Sequence, residues 1–534
     1  MCGIFAIFSQ SGVFDKEMMD QILKNIDKLK TRGPDAYSLT VADNGILGFQ
    51  RLAINDTTSK GMQPFHYKKG DESFTMCNGE IYNYEDLYEP FKKLLKSKSD
   101  CEVLPHLIHS HGFVETVKML DGVFALLHYN KSTGQCMVAR DRIGVKPVFF
   151  ACNDGYFGIA SEAKALDNLN FGSIQQLQPG CVLTLNTKNL WWLSDSYTSL
   201  PSPTDGSLTI PYDECVKTVH DLLVKSVQKR MTSDRDIGCL LSGGLDSSIV
   251  AAILAKEMRA QGKLLRTFSV GFPDSTDIIY AREVAKHIGS DHQEYIIQYG
   301  DALKRIKDVI YATETFDTTS IRASTPMFML CDWISKNFPD KVIFSGEGSD
   351  ELFCGYLYFH NAPSSDDAHT DSVRLLNELY MYDVLRADRC TAGNGLEFRE
   401  PFLDKNLIDF VVKMNASYNV PRLRDGVIFE KTILREAFQD YLPPSVAWRR
   451  KAAFSDAVSS SQKPWYKWIH EYVGDRLDTV KDFGGTEESN YFKTIFHNLF
   501  TDYRPSIPLW LPRWSNVGQE PSATVLNVYK KEEH

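Results

Sequence analysis

The chain has 534 residues, with 59 Lys and Arg against 69 Asp and Glu. The net charge of −10 argues against nucleic acid as the main partner, because phosphate binding draws on a basic surface. Hydrophobic residues make up 43%, enough for several buried cores, and no apolar run reaches the roughly 18 residues that a membrane span needs. The opening residues lack the basic and apolar regions of a secretory signal, and the eleven cysteines are unclustered, as in a protein with reduced thiols. A cytosolic protein without membrane or nucleic-acid partners, in roughly two to four domains, is expected.

In chain order, Gly3 to Phe8 reads as a buried strand and Lys16 to Leu29 as a helix. Strands follow at Ile46 to Ile54, Phe74 to Cys77, Val123 to Tyr129, Met137 to Arg140 and Phe157 to Ala160. Val103, Leu104, Leu107 and Ile108 form a helical stripe around His106, His109 and His111, a spacing that favours packing over metal ligation. Consecutive strands with helices grouped apart predict an α+β layered domain over residues 2–193. Residues 194–211 are rich in Ser, Pro, Thr and Asp and read as a linker. Residues 212–534 change pattern: helix Tyr212 to Met231, strand Ile237 to Leu241, helix Asp246 to Ala260, strand Arg266 to Val270, helix Asp277 to Ile288, strand His292 to Ile296 and strand Val342 to Phe344. That alternation predicts a doubly wound parallel sheet, and beyond Ser372 the reading is almost wholly helical.

Met1 is followed by Cys2. Removal of Met1 would leave a thiol and a free α-amine on one carbon, the amine titrating near ~7.7–8.0, so the nucleophile would carry its own base. Three further segments carry groups that an amide-hydrolysing thiol needs. Arg51 suits a bidentate clamp on a carboxylate. Asn78 and Gly79 put a side-chain amide beside a glycine N–H, as an oxyanion hole requires. Asp100 either binds an ammonium group or caps the helix that follows it.

Met1–Cys2–Gly3–Ile4, Arg32–Gly33–Pro34–Asp35, Arg51–Leu52–Ala53–Ile54, Asn78–Gly79–Glu80–Ile81–Tyr82–Asn83, Asp121–Gly122–Val123–Phe124–Ala125 and Arg140–Asp141–Arg142 occur in order. Together they resemble the class II glutamine amidotransferase domain, an N-terminal-nucleophile hydrolase with an α+β sandwich. The resemblance implies that Cys2 attacks the glutamine side-chain amide, with Asn78 and Gly79 as oxyanion hole. It also implies that Arg51 holds the α-carboxylate, that Asp100 and Glu80 hold the α-ammonium, and that Leu52 and Asn55 complete the glutamine site.

In the second half, strand Ile237 to Leu241 runs directly into Ser242–Gly243–Gly244–Leu245–Asp246–Ser247–Ser248. Two glycines and a helix N-terminus present backbone N–H groups to a phosphate. The loop lacks the lysine of a Walker A motif and is similar to the pyrophosphate loop of ATP pyrophosphatases. A second turn, Ser345–Gly346–Glu347–Gly348–Ser349–Asp350–Glu351, follows strand Val342 to Phe344 and so belongs to the C-terminal edge of the same sheet, where carboxylates suit Mg²⁺ held with phosphates.

With Glu314 to Ser324, Glu397 to Asp404, Lys451 to Asp456 and Leu509–Trp510–Leu511–Pro512–Arg513–Trp514, these motifs resemble glutamine-hydrolysing asparagine synthetases over essentially the full chain. The resemblance implies glutamine, aspartate and ATP as substrates, Mg²⁺ as cofactor, a cytosolic location and a homodimer formed through the N-terminal domain. By position, Leu241, Val270, Ser345 and Gly346 would contact the nucleotide, with Ser242, Gly243, Gly244, Asp246, Ser247 and Ser248 around the pyrophosphate. Asp246 and Asp350 would ligate Mg²⁺, Glu347 would take a proton from the attacking ammonia, and Lys451 would face the α-phosphate. Thr318, Thr319, Arg322, Asp383 and Arg386 would position the acidic substrate. Glu400 stands where an apolar residue is usual, and a surface-facing or paired carboxylate is expected there; Ala452 and Ala457 also depart from the common pattern beside Lys451. Two rivals are a β-lactam synthetase-type cyclase on the same scaffold, against which Cys2 with Arg51, Asn78 and Asp100 speaks, and a silent assembly paralogue, against which Cys2, Ser242 to Ser248 and Glu347 speak.

Overall fold

The computed structural model describes residues 1–68, 72–202, 208–449, 458–459, 463–515 and 522. The first part holds twelve strands: β1 (Gly3–Ser9), β2 (Ala36–Ala42), β3 (Gly45–Arg51), β4 (Phe65–Tyr67), β5 (Ser73–Ile81), β6 (Gly122–Asn130), β7 (Gln135–Arg140), β8 (Phe149–Cys152), β9 (Tyr156–Ala160), β10 (Ile174–Gln176), β11 (Cys181–Asn186) and β12 (Trp192–Ser196). They form two antiparallel sheets, ordered β10-β8-β9-β1-β3-β2 and β12-β11-β7-β6-β5-β4. Strand β1 shows why its sequence is apolar throughout. Ile4, Ala6 and Phe8 join Phe74, Met76 and Leu127 of the second sheet in one cluster, while Phe5 and Ile7 meet Ile22 and Ile26 of helix Lys16–Asp27 on the other side. Both faces of the strand are covered, so alternation disappears.

The second part carries a parallel sheet of β13 (Ile237–Leu240), β14 (Arg266–Gly271), β15 (Asp291–Ile296), β16 (Val342–Phe344) and β17 (Glu397–Arg399), ordered β15-β14-β13-β16-β17. Strand order reverses at β13, which pairs with β14 on one side and β16 on the other. That is the switch point at which such sheets bind ligands, and it sets the loop after β13 beside the loop after β16.

Three expectations need amendment. The region beyond Ser372 is not purely helical: β17 extends the parallel sheet, and Arg422–Arg424 pairs with Val427–Phe429 in a hairpin. These three-residue segments are too short for periodicity to register. Strand β12 runs to Ser196 and pairs with β11, so its last three residues, Ser194 to Ser196, fall inside the stretch read as linker. Glu400 is neither surface-facing nor paired: it is fully buried and neither carboxylate oxygen has a hydrogen-bond partner among the described residues. Burial pushes its pKa up to about 7, against the pull of Lys146 and Arg230. The histidine stripe lies on helix Leu104–His111, with His106 and His109 against the ring of Tyr67.

Candidate active sites

The first site lies where β1, β3 and β5 come together. Cys2 is half-buried at the start of β1, its thiol 3.7 Å from the Leu52 carbonyl oxygen. Burial raises the thiol pKa, and the nearby terminal ammonium lowers it. The Cys2 N–H donates to Asn78 Oδ1 at 2.8 Å. That bond orients the Asn78 amide, whose Nδ2 is buried and has no partner among the described residues. A donor in that condition needs an acceptor, and an oxyanion beside Cys2 would supply one. At the next position a Cβ would stand 2.0 Å from the Val123 carbonyl oxygen, so only glycine fits at Gly79.

Asn55 Nδ2 donates to Glu80 Oε2 at 2.7 Å, which brings those two together. Asp100 Oδ2 accepts from the Ile81 N–H at 2.8 Å and caps no helix, so of its two readings the capping one is excluded. Burial and the neighbouring carboxylates Glu397 and Asp100 raise Glu80 well above its ordinary range, opposed by Arg399 at 3.3 Å. Arg51 is buried, and its guanidinium donates to the Thr58 carbonyl oxygen at 2.6 Å and to that of Asp56, holding the loop that follows β3.

Sequence reasoning assigned no role to Arg32, whose place is distinctive. Its Nε donates to the Cys2 carbonyl oxygen at 3.0 Å, and its Nη1 donates to Glu162 at 2.7 Å and Asp388 at 2.9 Å. Met1 is buried, its amine 3.1 Å from Glu397 Oε2 on β17. An arginine beside glycine and proline in a turn carries no sequence signal for such a partner 356 residues away.

The second site is a cavity of about 230 Å³ at the C-terminal edge of the parallel sheet. Leu241, Ser242, Gly244, Asp246, Ser247, Val270, Thr319, Ser345, Gly346, Glu347, Asp350, Asp383 and Arg386 all line it. Gly243 adopts φ 73° and packs so closely that a Cβ would lie 2.4 Å from the Ala281 nitrogen. Gly346 is needed for the same reason: a Cβ there would stand 2.7 Å from the Ser247 nitrogen, so the two loops touch. Ser242 and Ser247 hydroxyls lie 3.1 Å apart, and the Ser248 hydroxyl is buried without a partner among the described residues.

Asp246 and Asp350 converge on one cation. Lys431 Nζ donates to both Asp246 oxygens at 2.7 Å and lies 2.5 Å from Asp350 Oδ1. Two carboxylates brought together beside the loop Ser242 to Ser248 are a hard-oxygen donor set, which fits Mg²⁺. Lys431 was missed because a single lysine in Glu430–Lys431–Thr432 carries no spacing signal. Arg449 was missed likewise; its guanidinium donates to Gly243 O at 3.1 Å and Asp277 at 3.0 Å.

On the same cavity wall, Arg386 Nη2 donates to Glu347 Oε2 at 2.8 Å and to Asp383 Oδ1 at 2.5 Å. Burial raises Glu347 to about 7, with Arg386 opposing and Asp383 adding to the rise. Asp317 caps helix Thr318–Asn337, and the hydroxyls of Thr318 and Thr319 at its N-terminus are buried without partners among the described residues. A helix N-terminus with two unused hydroxyls suits a carboxylate. Arg322 does not line this cavity: it is buried against Glu488 at 2.9 and 2.5 Å and stacks on Tyr466. Lys451, Ala452 and Ala457 lie outside the described residues.

The profile of the asparagine synthase family matches residues 218–371 and 362–514, and that of the glutamine amidotransferase domain matches residues 1–189. The asparagine synthetase [glutamine-hydrolyzing] of Gallus gallus is 38% identical over 567 aligned residues, covering 99% of this chain and 99% of that protein. The Homo sapiens protein of the same name is 37% identical with the same coverage. A probable asparagine synthetase of Acanthamoeba polyphaga mimivirus is 38% identical over 99% of this chain and 100% of its own length.

Proposed function

The chain belongs to the family of glutamine-hydrolysing asparagine synthetases, and from that premise we propose how its residues divide the work. It is a carbon–nitrogen ligase that makes asparagine with nitrogen from glutamine and with ATP as energy source. Residues 2–193 act as the glutaminase, 194–211 as the connection and 212–534 as the synthetase.

In the first half-reaction Cys2, freed by removal of Met1, attacks the glutamine amide carbon. Asn78 Nδ2 and the Gly79 N–H receive the oxyanion, ammonia leaves, and water releases glutamate from the thioester. The partnerless Asn78 Nδ2 supports that role. Arg51 and Asp100 with Glu80 hold the two ends of the amino acid, and Leu52 and Asn55 shape its bed.

In the second half-reaction the aspartate β-carboxylate attacks the α-phosphate of ATP and expels pyrophosphate. Adenylation replaces a poor leaving group by AMP. Ser242, Gly243, Gly244, Asp246, Ser247 and Ser248 cradle the pyrophosphate, and Leu241, Val270, Ser345 and Gly346 the nucleoside. Asp246 and Asp350 would hold Mg²⁺, which when bound would neutralise phosphate charge. Thr318, Thr319, Asp383 and Arg386 position aspartate; Arg322 acts behind them, tying helix Thr318–Asn337 to Glu488. Glu347 takes the proton from ammonia as it displaces AMP, and Lys451 stabilises charge on the α-phosphate.

The observation that carries this reading is that β17 touches both sites. Its Glu397 meets the Met1 amine and its Arg399 meets Glu80, while the Arg399 carbonyl oxygen accepts from the Ser345 N–H at 3.0 Å. The enzyme works in the cytosol as a homodimer. The dimer is supported by edge strand β2, where Tyr37, Leu39 and Val41 leave an exposed apolar row. The test uses glutamine labelled with nitrogen-15 at its side-chain amide, together with aspartate and MgATP. Labelled asparagine with AMP and pyrophosphate is expected, and glutamate without asparagine would refute the synthetase assignment.

A further inference from the structure

One motif has no place in the reaction described above: Leu509–Trp510–Leu511–Pro512–Arg513–Trp514. It follows the last helix, Glu487–Leu499, and belongs to no helix or strand. It is nonetheless held at several points. The Tyr382 hydroxyl donates to the Pro508 carbonyl oxygen at 3.0 Å, and the Trp510 N–H donates to Asp317 Oδ1 at 3.3 Å. Arg513 Nη1 donates to the buried Asp371 at 2.9 Å, and Trp514 sits over Tyr358 with ring centres 6.0 Å apart.

These anchors belong to the walls of the synthetase cavity. Asp317 caps the helix that begins with Thr318 and Thr319, and Tyr382 immediately precedes Asp383 and Arg386. The segment therefore bridges the two elements proposed to hold aspartate. Trp510 and Pro512 line the cavity itself. The Trp510 ring lies 5.4 Å from that of Tyr356, whose hydroxyl is 2.6 Å from Glu351 Oε1 and 3.2 Å from Asp383 Oδ2. The indole thus backs the tyrosine that reaches Glu351 and Asp383, and adds apolar surface to a cavity that Glu347 and Arg386 also line.

We propose, resting on the synthetase reading above, that the segment Pro508–Trp514 is a strap that closes the aspartate end of the cavity, with Trp510 as the wall that fits aspartate and keeps water from the acyl-adenylate. The chemistry gives that wall a purpose. At the acyl carbon of β-aspartyl-AMP, ammonia gives asparagine and AMP. If a water oxygen attacks there instead, the acyl–oxygen bond to AMP breaks, the proton passes to solvent, and aspartate returns with ATP spent. A site lined by carboxylates alone would admit that water; an indole anchored by its own backbone N–H excludes it.

The test compares full-length wild type, Trp510→Ala and Trp510→Phe, with pyrophosphate, asparagine and glutamate measured in each reaction. For Trp510→Ala we expect the KM for aspartate to rise about tenfold. Its KM for ATP should stay within about twofold, and pyrophosphate should exceed asparagine several-fold; these are the scales that loss of one aromatic contact permits. Trp510→Phe should restore most of both values. Glutaminase rate should be unchanged in both variants, which reports on folding. A Trp510→Ala enzyme with wild-type aspartate KM and wild-type product ratio overturns the wall, as does a fall in kcat alone. Wild-type enzyme that releases no pyrophosphate on addition of aspartate overturns the synthetase reading itself, and with it the substrate assigned to the strap.

Discussion

Arg32 and Asp388 meet across the two halves of the chain, Nη1 to Oδ2 at 2.9 Å, with both side chains fully buried. Arg32 also holds the Cys2 backbone, and Asp388 sits on helix Asp383–Ala392 two residues beyond Arg386, the partner of Glu347. The carboxylate is held below its ordinary range despite burial, chiefly by Arg32 and Lys146. Asp388→Ala leaves Arg32 paired with Glu162 alone, and breaking a buried pair of this kind costs about 3–5 kcal/mol. Denaturant unfolding should show a loss of that order. Asp388→Asn, which keeps the shape, should raise the ratio of glutamate to asparagine with less effect on synthesis from added ammonium.

Cys2→Ala should abolish glutamine hydrolysis while synthesis from added ammonium survives. The prediction follows from the separation of the sites: Cys2 bonds to Asn78 and Leu52 and contributes nothing to the lining of the synthetase cavity. Assays with glutamine and with ammonium chloride distinguish the two halves directly.

Glu347 is half-buried, and its carboxyl is raised to about 7, chiefly by desolvation. A base accepts a proton only when deprotonated, so asparagine formation at saturating substrates should climb as pH rises through about 7. Glu347→Gln should remove that limb and lower asparagine formation by roughly a hundredfold or more, while glutamine hydrolysis continues. A pH–rate profile of each enzyme reads both effects.

Glu400 carries a stability consequence with a definite sign. Its carboxyl holds a proton up to about 7 in the folded protein, against 4.5 as the ordinary value. The folded state therefore binds more protons between those pH values. Stability from this group is complete below the ordinary value and is lost as pH rises through about 7. The loss is of order 3 kcal/mol at most. Glu400→Gln, compared with wild type in urea at acid and alkaline pH, should flatten that dependence, and Glu400→Val should be more stable than wild type above neutrality.

Lys431 is the only charge of its sign that the described residues place directly between Asp246 and Asp350. Lys431→Met removes that charge from between the carboxylates, while Ser349 still donates to Asp246. The variant should lose about 3 kcal/mol or more of stability. Added Mg²⁺ should raise its melting temperature by more than it raises that of wild type, read by thermal unfolding without nucleotide.

How much of this was legible beforehand depended on whether a residue's partner is near it in sequence. The strand from Ile237 and the loop Ser242 to Ser248 are contiguous, so strand, glycine turn and helix start could be read together, and they fold as read. The sequence places Asn78 and Gly79 in a turn after strand Phe74 to Cys77, whereas β5 runs on through both to Ile81. The contacts of Arg32, Lys431 and Trp510 were opaque for the opposite reason, although Arg32 and Trp510 stand in recognisable motifs. Their partners, Asp388, Asp246 and Asp317, lie 356, 185 and 193 residues away. Glu400 misled because charge usually signals solvent, and only the tertiary structure shows Lys146 and Arg230 in its surroundings. Strand β17 was hidden by brevity, and Arg322 by the distant Glu488 that occupies it.

The burial of Met1 imposes an order of events. In the folded chain the residue is sealed, its amine against Glu397, which is synthesised 396 residues later. An aminopeptidase needs that end in the open. At ribosomal rates of about 5–20 residues per second, Glu397 emerges roughly 20–80 seconds after the first residues. On the proposed mechanism, which needs Met1 removed, trimming therefore belongs to the nascent chain, and a molecule that folds with Met1 in place keeps it sealed against Glu397.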